Sequence, residues 1–105
     1  MRERLPNRRG GETLNFACRQ REYRATLGFY PDGRLGEVFI NAGKSGSDVD
    51  IATRDSAIAL SFALQYGCAP EDIRAALCRD DAGKAEGPLG TLLDLLAQQR
   101  GSEAA

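Results

Sequence analysis

The sequence predicts a single α+β domain in which a three-stranded antiparallel meander packs against two or three C-terminal helices. Two observations lead to this fold class. In two stretches between residues 14 and 29, apolar and polar side chains alternate, which is the period of a strand with one buried face. After residue 47 the apolar residues recur three and four positions apart, as they do in helices that face a core. Because the strands all precede the helices along 105 residues, we expect one domain of two packed layers.

The alternation defines three strands. Apolar and polar side chains alternate in residues 14–18 and again in residues 23–29, and the polar residues 19–22 separate the two stretches. Residues 30–33 read Tyr-Pro-Asp-Gly, with proline at the second turn position and glycine at the fourth, which is a strong β-turn signal. The third strand is therefore expected over residues 35–41, antiparallel to the second.

Three helices are expected in the second half of the chain. Asp48 or Asp50 is expected to cap the first helix, and Gly67 to end it in the left-handed conformation. The second helix opens at Pro70, a favoured residue for the first helical position. The third starts at Pro88 and carries leucines at positions 89, 92, 93, 95 and 96.

The N-terminal part of the chain is basic. Residues 1–24 carry seven arginines against three glutamates, although the net charge of the whole chain is −1. We expect residues 1–11 to form a flexible basic arm, residues 12–100 the single domain and residues 101–105 a tail. Two interpretations of the arm stay open: a solvated segment, or a segment that binds nucleic acid or another polyanion. The arginines that the second interpretation uses are Arg2, Arg4, Arg8 and Arg9.

The sequence offers no catalytic or metal-binding set. It has no histidine, which removes the usual general base near neutral pH and the commonest metal ligand. Cys18, Cys68 and Cys78 lack the close pairing of a zinc site, and their odd number does not suggest a disulfide framework. No apolar run approaches the length of a membrane span. We therefore assign no catalytic residue, no metal and no cofactor, and we expect a cytoplasmic protein.

The glycine-rich loop after the third strand is the best candidate binding site. Gly-Lys-Ser at positions 43–45 resembles the end of a nucleotide-binding P-loop, but the first glycine of that motif would fall at Val38, inside a strand. A simpler anion site stays possible, in which Lys44 and Ser45 act with the backbone amides of Gly46 and Ser47 at a helix start. The alternative is that the glycines only make a sharp turn.

The third helix has more leucine than one apolar stripe requires. Five leucines occur within eight residues, so part of that surface lacks an obvious partner in a domain of this size. One interpretation is a homodimer interface, and the other is that the leucines cover the sheet of their own chain. The candidate interface residues are Leu89, Leu92, Leu93 and Leu96.

Three segments together resemble a known family. They are Gly-Arg-x-x-Glu-Val-Phe-Ile-x-x-Gly-Lys-Ser-Gly at 33–46, Ala-Ile-x-x-Ser-Phe-Ala-Leu-Gln-Tyr-Gly at 57–67 and Pro-Glu-Asp-Ile at 70–73. This combination is similar to the TSCPD domain, a module found near the C-terminus of adenosylcobalamin-dependent ribonucleotide reductases and in small free-standing proteins. The resemblance covers roughly residues 13–78.

The chain also departs from the family pattern. Cys18 and Cys78 lie near two of the family's three cysteine positions, whereas Asp48 occupies the neighbourhood of the third, and the Thr-Ser-Cys-Pro-Asp motif is absent. The resemblance therefore implies a small non-catalytic accessory or protein-interaction domain, with a ribonucleotide reductase or another protein as its partner and nucleotide or phosphate as a possible ligand. Two alternatives stay open: a subunit or fragment that contributes to ribonucleoside-diphosphate reduction, and a nucleic-acid-binding module that uses the N-terminal arginines.

Overall fold

The structure, a computed structural model, describes residues 1–43 and 46–104, with side chains as far as Gln99. Three strands come first and three helices follow, which confirms the predicted α+β fold class. The elements are β1 (Gly10–Cys18), β2 (Arg21–Phe29), β3 (Leu35–Ala42), α1 (Asp48–Gln65), α2 (Pro70–Ala76) and α3 (Pro88–Ala104).

The strands form one antiparallel sheet in the order β1-β2-β3. The register aligns Leu14 with Ala25 and Ala25 with Ile40, so one row of apolar side chains crosses all three strands on the same face. This face carries the core, and the helices cover it. The opposite face has no helix over it among the described residues, and its side chains are largely exposed.

Two glycines at predicted turn positions adopt the left-handed conformation, which the sequence predicted for Gly67. The Gly33 N–H donates to the Tyr30 carbonyl oxygen at 2.8 Å, and Gly33 has a φ of 91°. Gly67, directly after the C-cap Tyr66 of α1, has a φ of 97°. Both turns are therefore confirmed, because an L side chain is strained at such φ values.

Helix α1 lies along the outer edge of β3. Its buried polar side chains form hydrogen bonds with the backbone of that edge strand: Gln65 Nε2 donates to the Gly36 carbonyl oxygen at 3.0 Å, and Asp50 Oδ1 accepts from the Ala42 N–H at 3.0 Å. The N-cap prediction was wrong. Ser47, rather than Asp48 or Asp50, caps α1, and its hydroxyl accepts the Asp50 N–H. The Asp50 carboxylate bonds to the edge strand instead.

The N-terminal segment also contacts the domain. The Glu3 N–H donates to the backbone oxygen of Gln65 at 2.7 Å, and the Tyr30 hydroxyl donates to the backbone oxygen of Glu3. Strand β1 begins at Gly10, inside the segment that was expected to be an arm, and α3 continues to Ala104 through the expected tail. Burial raises the pKa of the Tyr30 hydroxyl, which keeps it a hydrogen-bond donor.

Candidate functional site

The junction between β3 and α1 holds the predicted anion site. Strand β3 ends at Ala42 and α1 starts at Asp48, so the glycine-rich loop connects a strand to a helix N-terminus as the sequence predicted. Lys44 and Ser45 lie outside the described residues, and their role stays a prediction. Gly46 has a φ of 80°, which fits the sharp turn that its lack of a side chain allows.

A buried carboxylate occupies this junction. The Asp50 side chain is 3% exposed, and its Oδ2 accepts the Gly46 N–H at 3.2 Å while Oδ1 accepts the Ala42 N–H. The exposed Arg54 places its guanidinium 3.7 Å from Oδ2. One of the two amides assigned to an anion therefore donates to the protein's own carboxylate. A bound anion would compete with Asp50 for this amide, so the cationic residues around the loop would have to supply most of its binding energy.

An open depression of about 680 Å³ lies beside the loop, on the uncovered face of the sheet. Asn15, Arg24, Asn41 and Gly43 contribute to its lining, with Glu22 as the acidic member. The Arg24 side chain is exposed and forms no hydrogen bond or ion pair with any other described residue. Guanidinium and amide groups at one site can bind an anionic ligand that also accepts and donates hydrogen bonds. The sequence alone does not reveal this set, because its members come from three strands.

The four arginines of the N-terminal arm divide into two pairs. Arg2 Nε donates to the Gln65 side-chain oxygen at 2.6 Å, and Arg9 Nε donates to the Glu37 carboxylate at 2.5 Å. Arg4 and Arg8 are exposed and contact no acidic group in the described part of the chain. Only this second pair is available to a polyanion without breaking an existing contact.

The four candidate interface leucines of α3 lie against the core of their own chain. Leu92 and Leu93 are buried, and Leu89 and Leu96 are partly buried and packed against the same core. The intramolecular interpretation therefore accounts for most of this surface. Whether the chain dimerises stays a separate question.

A cavity of about 210 Å³ lies between the sheet, α2 and α3. Its lining is mainly apolar, with Arg74, Gln99 and two glutamates at its polar positions. Arg74 Nε is bonded to Asp94 at 2.6 Å, and Arg79 contacts both oxygens of the same carboxylate. Hydrogen bonds from Arg79 and Arg74 lower the pKa of Asp94 to about 2 although partial burial opposes that shift. The cluster therefore carries two cations and one anion throughout the physiological range.

The three cysteines do not form a reactive group. Cys18 is buried, with Sγ 3.2 Å from the Thr91 hydroxyl and 3.6 Å from the Glu86 carbonyl oxygen. Cys68 and Cys78 are exposed free thiols.

Among the described residues, no three side chains of the metal-binding types come together. None of the described helices has the length and apolar character to cross a membrane.

Three strands, a glycine-rich junction and three helices define a small α+β module without a cluster of metal ligands in its described part. The family model described as the TSCPD domain matches residues 2–99. The chain belongs to the TSCPD domain family, which confirms the resemblance noted in the sequence. No solved structure matches the chain.

The curated relatives are much longer proteins. The chain is 44% identical over 66 residues to a vitamin B12-dependent ribonucleotide reductase of Rhodopirellula baltica, which is 63% of this chain and 6% of the relative. It is 39% identical over 71 residues to the enzyme of the same name in Agrobacterium fabrum, covering 68% of this chain and 6% of that one. With the enzyme of Streptantibioticus cattleyicolor, the identity is 42% over 67 residues, 64% of this chain and 11% of the relative. The match thus spans about a tenth or less of each relative.

Proposed function

We propose that this chain is a non-catalytic accessory domain of a ribonucleotide reductase system that acts through contacts with other proteins in the cytoplasm. The observation that carries the proposal is its 44% identity to a segment that makes up 6% of a vitamin B12-dependent ribonucleotide reductase. A segment of that size corresponds to one module of the enzyme. A module of this kind is suited to binding or regulating a reductase.

The placement of the cysteines supports a non-catalytic role. Reduction of a ribonucleotide requires two thiols that can form a disulfide, and that pairing requires Cα atoms within about 7 Å. Cys18 is buried, whereas Cys68 and Cys78 are exposed. The alternative, a subunit that contributes thiols to ribonucleoside-diphosphate reduction, would need at least one of the exposed cysteines to react with the larger enzyme.

An activity assay with a binding measurement tests the proposal. The purified chain alone, given adenosylcobalamin, a dithiol reductant and ribonucleotides, is expected to give no turnover and to retain neither cobalamin nor zinc. Biolayer interferometry is expected to detect its binding to the vitamin B12-dependent reductase of the same organism. Turnover by the chain alone would contradict the proposal, and so would an absence of binding. Loss of a stimulated activity in Cys68→Ser or Cys78→Ser would favour the thiol-donating alternative.

A second candidate function is anion or nucleotide binding at the β3–α1 junction. The observation that favours it is Arg24, an exposed cation without a partner among the described residues, in the depression beside Gly43 and the loop that carries Lys44. A phosphate there would be held by side chains more than by loop amides, because Asp50 already accepts the Gly46 N–H.

Thermal melts in phosphate, pyrophosphate and nucleoside triphosphates test the second candidate. At a ligand concentration about one hundred times the Kd, binding adds about 2.7 kcal/mol to stability. Lys44→Ala and Arg24→Ala are each expected to abolish the rise in Tm and to leave the unliganded melt nearly unchanged. A flat response of the wild-type chain across millimolar ligand would leave the loop as a turn only. A shift that disappears instead in the Arg4→Ala/Arg8→Ala double variant would assign polyanion binding to the N-terminal arm.

A further inference from the structure

Helix α1 exposes a row of large apolar side chains. Ile51, Ile58, Phe62 and Tyr66 are between 43% and 59% exposed, and we refer to these four residues as the α1 stripe. They are separated by seven, four and four positions, so they follow one side of the helix over about four turns. Isolated exposed apolar residues are common on proteins, but a continuous row of this length is typical of an interaction surface.

The rest of the helix circumference is already occupied. Leu60 and Leu64 are buried in the core, and Asp50, Ser61 and Gln65 are buried against the edge of β3. The stripe falls on the remaining side, away from the core. No other described helix or strand covers it, so the surface is available to a partner.

The two halves of the stripe carry opposite charges. Asp55 lies four positions after Ile51 on the same side of α1, and its side chain forms no hydrogen bond or ion pair within the described part of the chain. Near the other end, the Arg2 guanidinium lies over the Phe62 ring, 4.3 Å from its centroid. Arg54 also borders the N-terminal half, but its guanidinium lies 3.7 Å from Asp50 Oδ2. The N-terminal half of the stripe therefore has an unpaired acidic side chain, Asp55, and the C-terminal half has a cation, Arg2.

We propose that the α1 stripe is the interface of a homodimer, in which two copies of α1 pack antiparallel about a twofold axis beside Ile58. In this arrangement Ile51 faces the partner's Tyr66, and Asp55 faces the partner's Phe62 and the partner's Arg2. A twofold interface joins one patch to an identical patch, so the patch must be self-complementary. An apolar row with an acid beside one half and a cation beside the other half meets that requirement only in the antiparallel orientation.

The charges favour a second copy over an unrelated partner. Each chain supplies both the unpaired carboxylate and the cation that the opposite chain needs, so the dimer forms two equivalent ion pairs, one on each side of the twofold axis. Pairs at the rim of an interface mainly set orientation and specificity, and the buried apolar side chains supply most of the affinity. An interface of four apolar residues per chain is at the small end of the range, so we expect a Kd in the micromolar range.

Light scattering of matched variants tests the apolar part of the interface. The wild-type chain at about 100 µM is expected to have twice the mass of one chain, and Ile58→Glu the mass of one. Val49→Glu is the control, because Val49 is an exposed apolar residue of the same helix on the side opposite the stripe. It is expected to stay dimeric. Circular dichroism melts confirm that each variant is folded, and a variant that fails to fold is replaced by Ile51→Glu.

A charge exchange tests the orientation. Asp55→Arg is expected to weaken the dimer by tenfold or more in Kd, because it faces the partner's Arg2, and Arg2→Glu in the same chain is expected to restore at least part of the affinity. A monomeric wild type overturns the proposal. So does a dimer that survives Ile58→Glu. A monomeric wild type that binds the reductase and loses that binding in Ile58→Glu also overturns it, because the stripe would then belong to the accessory function.

Discussion

Ser61 on α1 bonds to both backbone polar groups of Val38 on β3. The Val38 N–H donates to Ser61 Oγ at 2.8 Å, and the same hydroxyl lies 3.0 Å from the Val38 carbonyl oxygen. Strand β3 is at the edge of the sheet, and its outward N–H and C=O groups would otherwise be buried beneath α1 without partners. A serine side chain thus takes the place of a fourth strand at this position.

Ser61→Ala is expected to destabilise the protein by about 1–3 kcal/mol, because the substitution leaves a buried N–H and a buried C=O without partners. Ser56→Ala is the control. Ser56 lies on the exposed side of the same helix and bonds only to the Ala52 carbonyl oxygen. Chemical denaturation of the two variants measures the difference, and equal stabilities would show that the Ser61–Val38 contact contributes little.

Asp50→Asn is expected to cost about 1–3 kcal/mol, because a charged acceptor of two backbone N–H groups becomes an amide that can accept at one oxygen only. The Gly46 N–H or the Ala42 N–H would then face an amide NH₂ group. Asp48→Asn provides the comparison, since Asp48 is exposed in the same helical turn and its loss removes only about 0.3–1 kcal/mol of interaction with the helix dipole. Urea titration of both variants measures the two losses of unfolding free energy. A loss in Asp48→Asn as large as the loss in Asp50→Asn would contradict this account.

Local sequence signals predicted the sheet and its turns because those features depend on neighbouring residues. Alternation in β1 and β2 and the Pro31–Gly33 turn need no tertiary information. The cap of α1 was misassigned because Ser47, Asp48 and Asp50 are equally good N-cap residues, and only the path of β3 decides among them. Asp50 is used at the strand edge, so Ser47 becomes the cap.

The candidate site was predicted only in part. Its loop is continuous in sequence and has a recognisable composition, whereas Asn15, Arg24 and Asn41 come together only through strand pairing, which aligns Asn15 with Arg24 and Arg24 with Asn41. The buried Ser61 and Gln65 were equally inaccessible to sequence reasoning. The sequence around a polar residue on a largely apolar helix does not show that its hydrogen-bond partner is the backbone of an edge strand.

Gln20→Gly is expected to stabilise the protein by about 0.5–1 kcal/mol. Arg19 and Gln20 form the turn between β1 and β2 with φ values of 51° and 67°, and a left-handed conformation costs an L residue about 1–2 kcal/mol. Glycine removes that cost, but its greater freedom in the unfolded chain offsets part of the gain. The Tm of Gln20→Gly compared with that of Gln20→Ala checks the prediction, and a lower Tm for the glycine variant would refute it.

Ion pairs at Asp94 join α2, the loop after it and α3. Asp94 receives hydrogen bonds from Arg79 and Arg74, and they depress its pKa to about 2 in the folded protein, against about 3.9 in an unfolded chain. A depressed pKa stabilises the fold fully above the unfolded value, and this contribution is lost as the pH falls through the folded value. Asp94→Asn is therefore expected to be less stable than the wild type at pH 7, by about 1–3 kcal/mol because two charged hydrogen bonds are weakened.

The difference between Asp94→Asn and the wild type is expected to persist down to about pH 4 and to shrink steadily between about pH 4 and pH 2. Asp32→Asn is the matched control. Asp32 also pairs with an arginine, Arg34, but both side chains are more than half exposed, so this substitution is expected to change stability little at any pH. Urea titrations at several pH values measure both series. A difference between Asp94→Asn and the wild type that stays constant from pH 7 to pH 2 would mean that the carboxylate charge is not what joins the two helices.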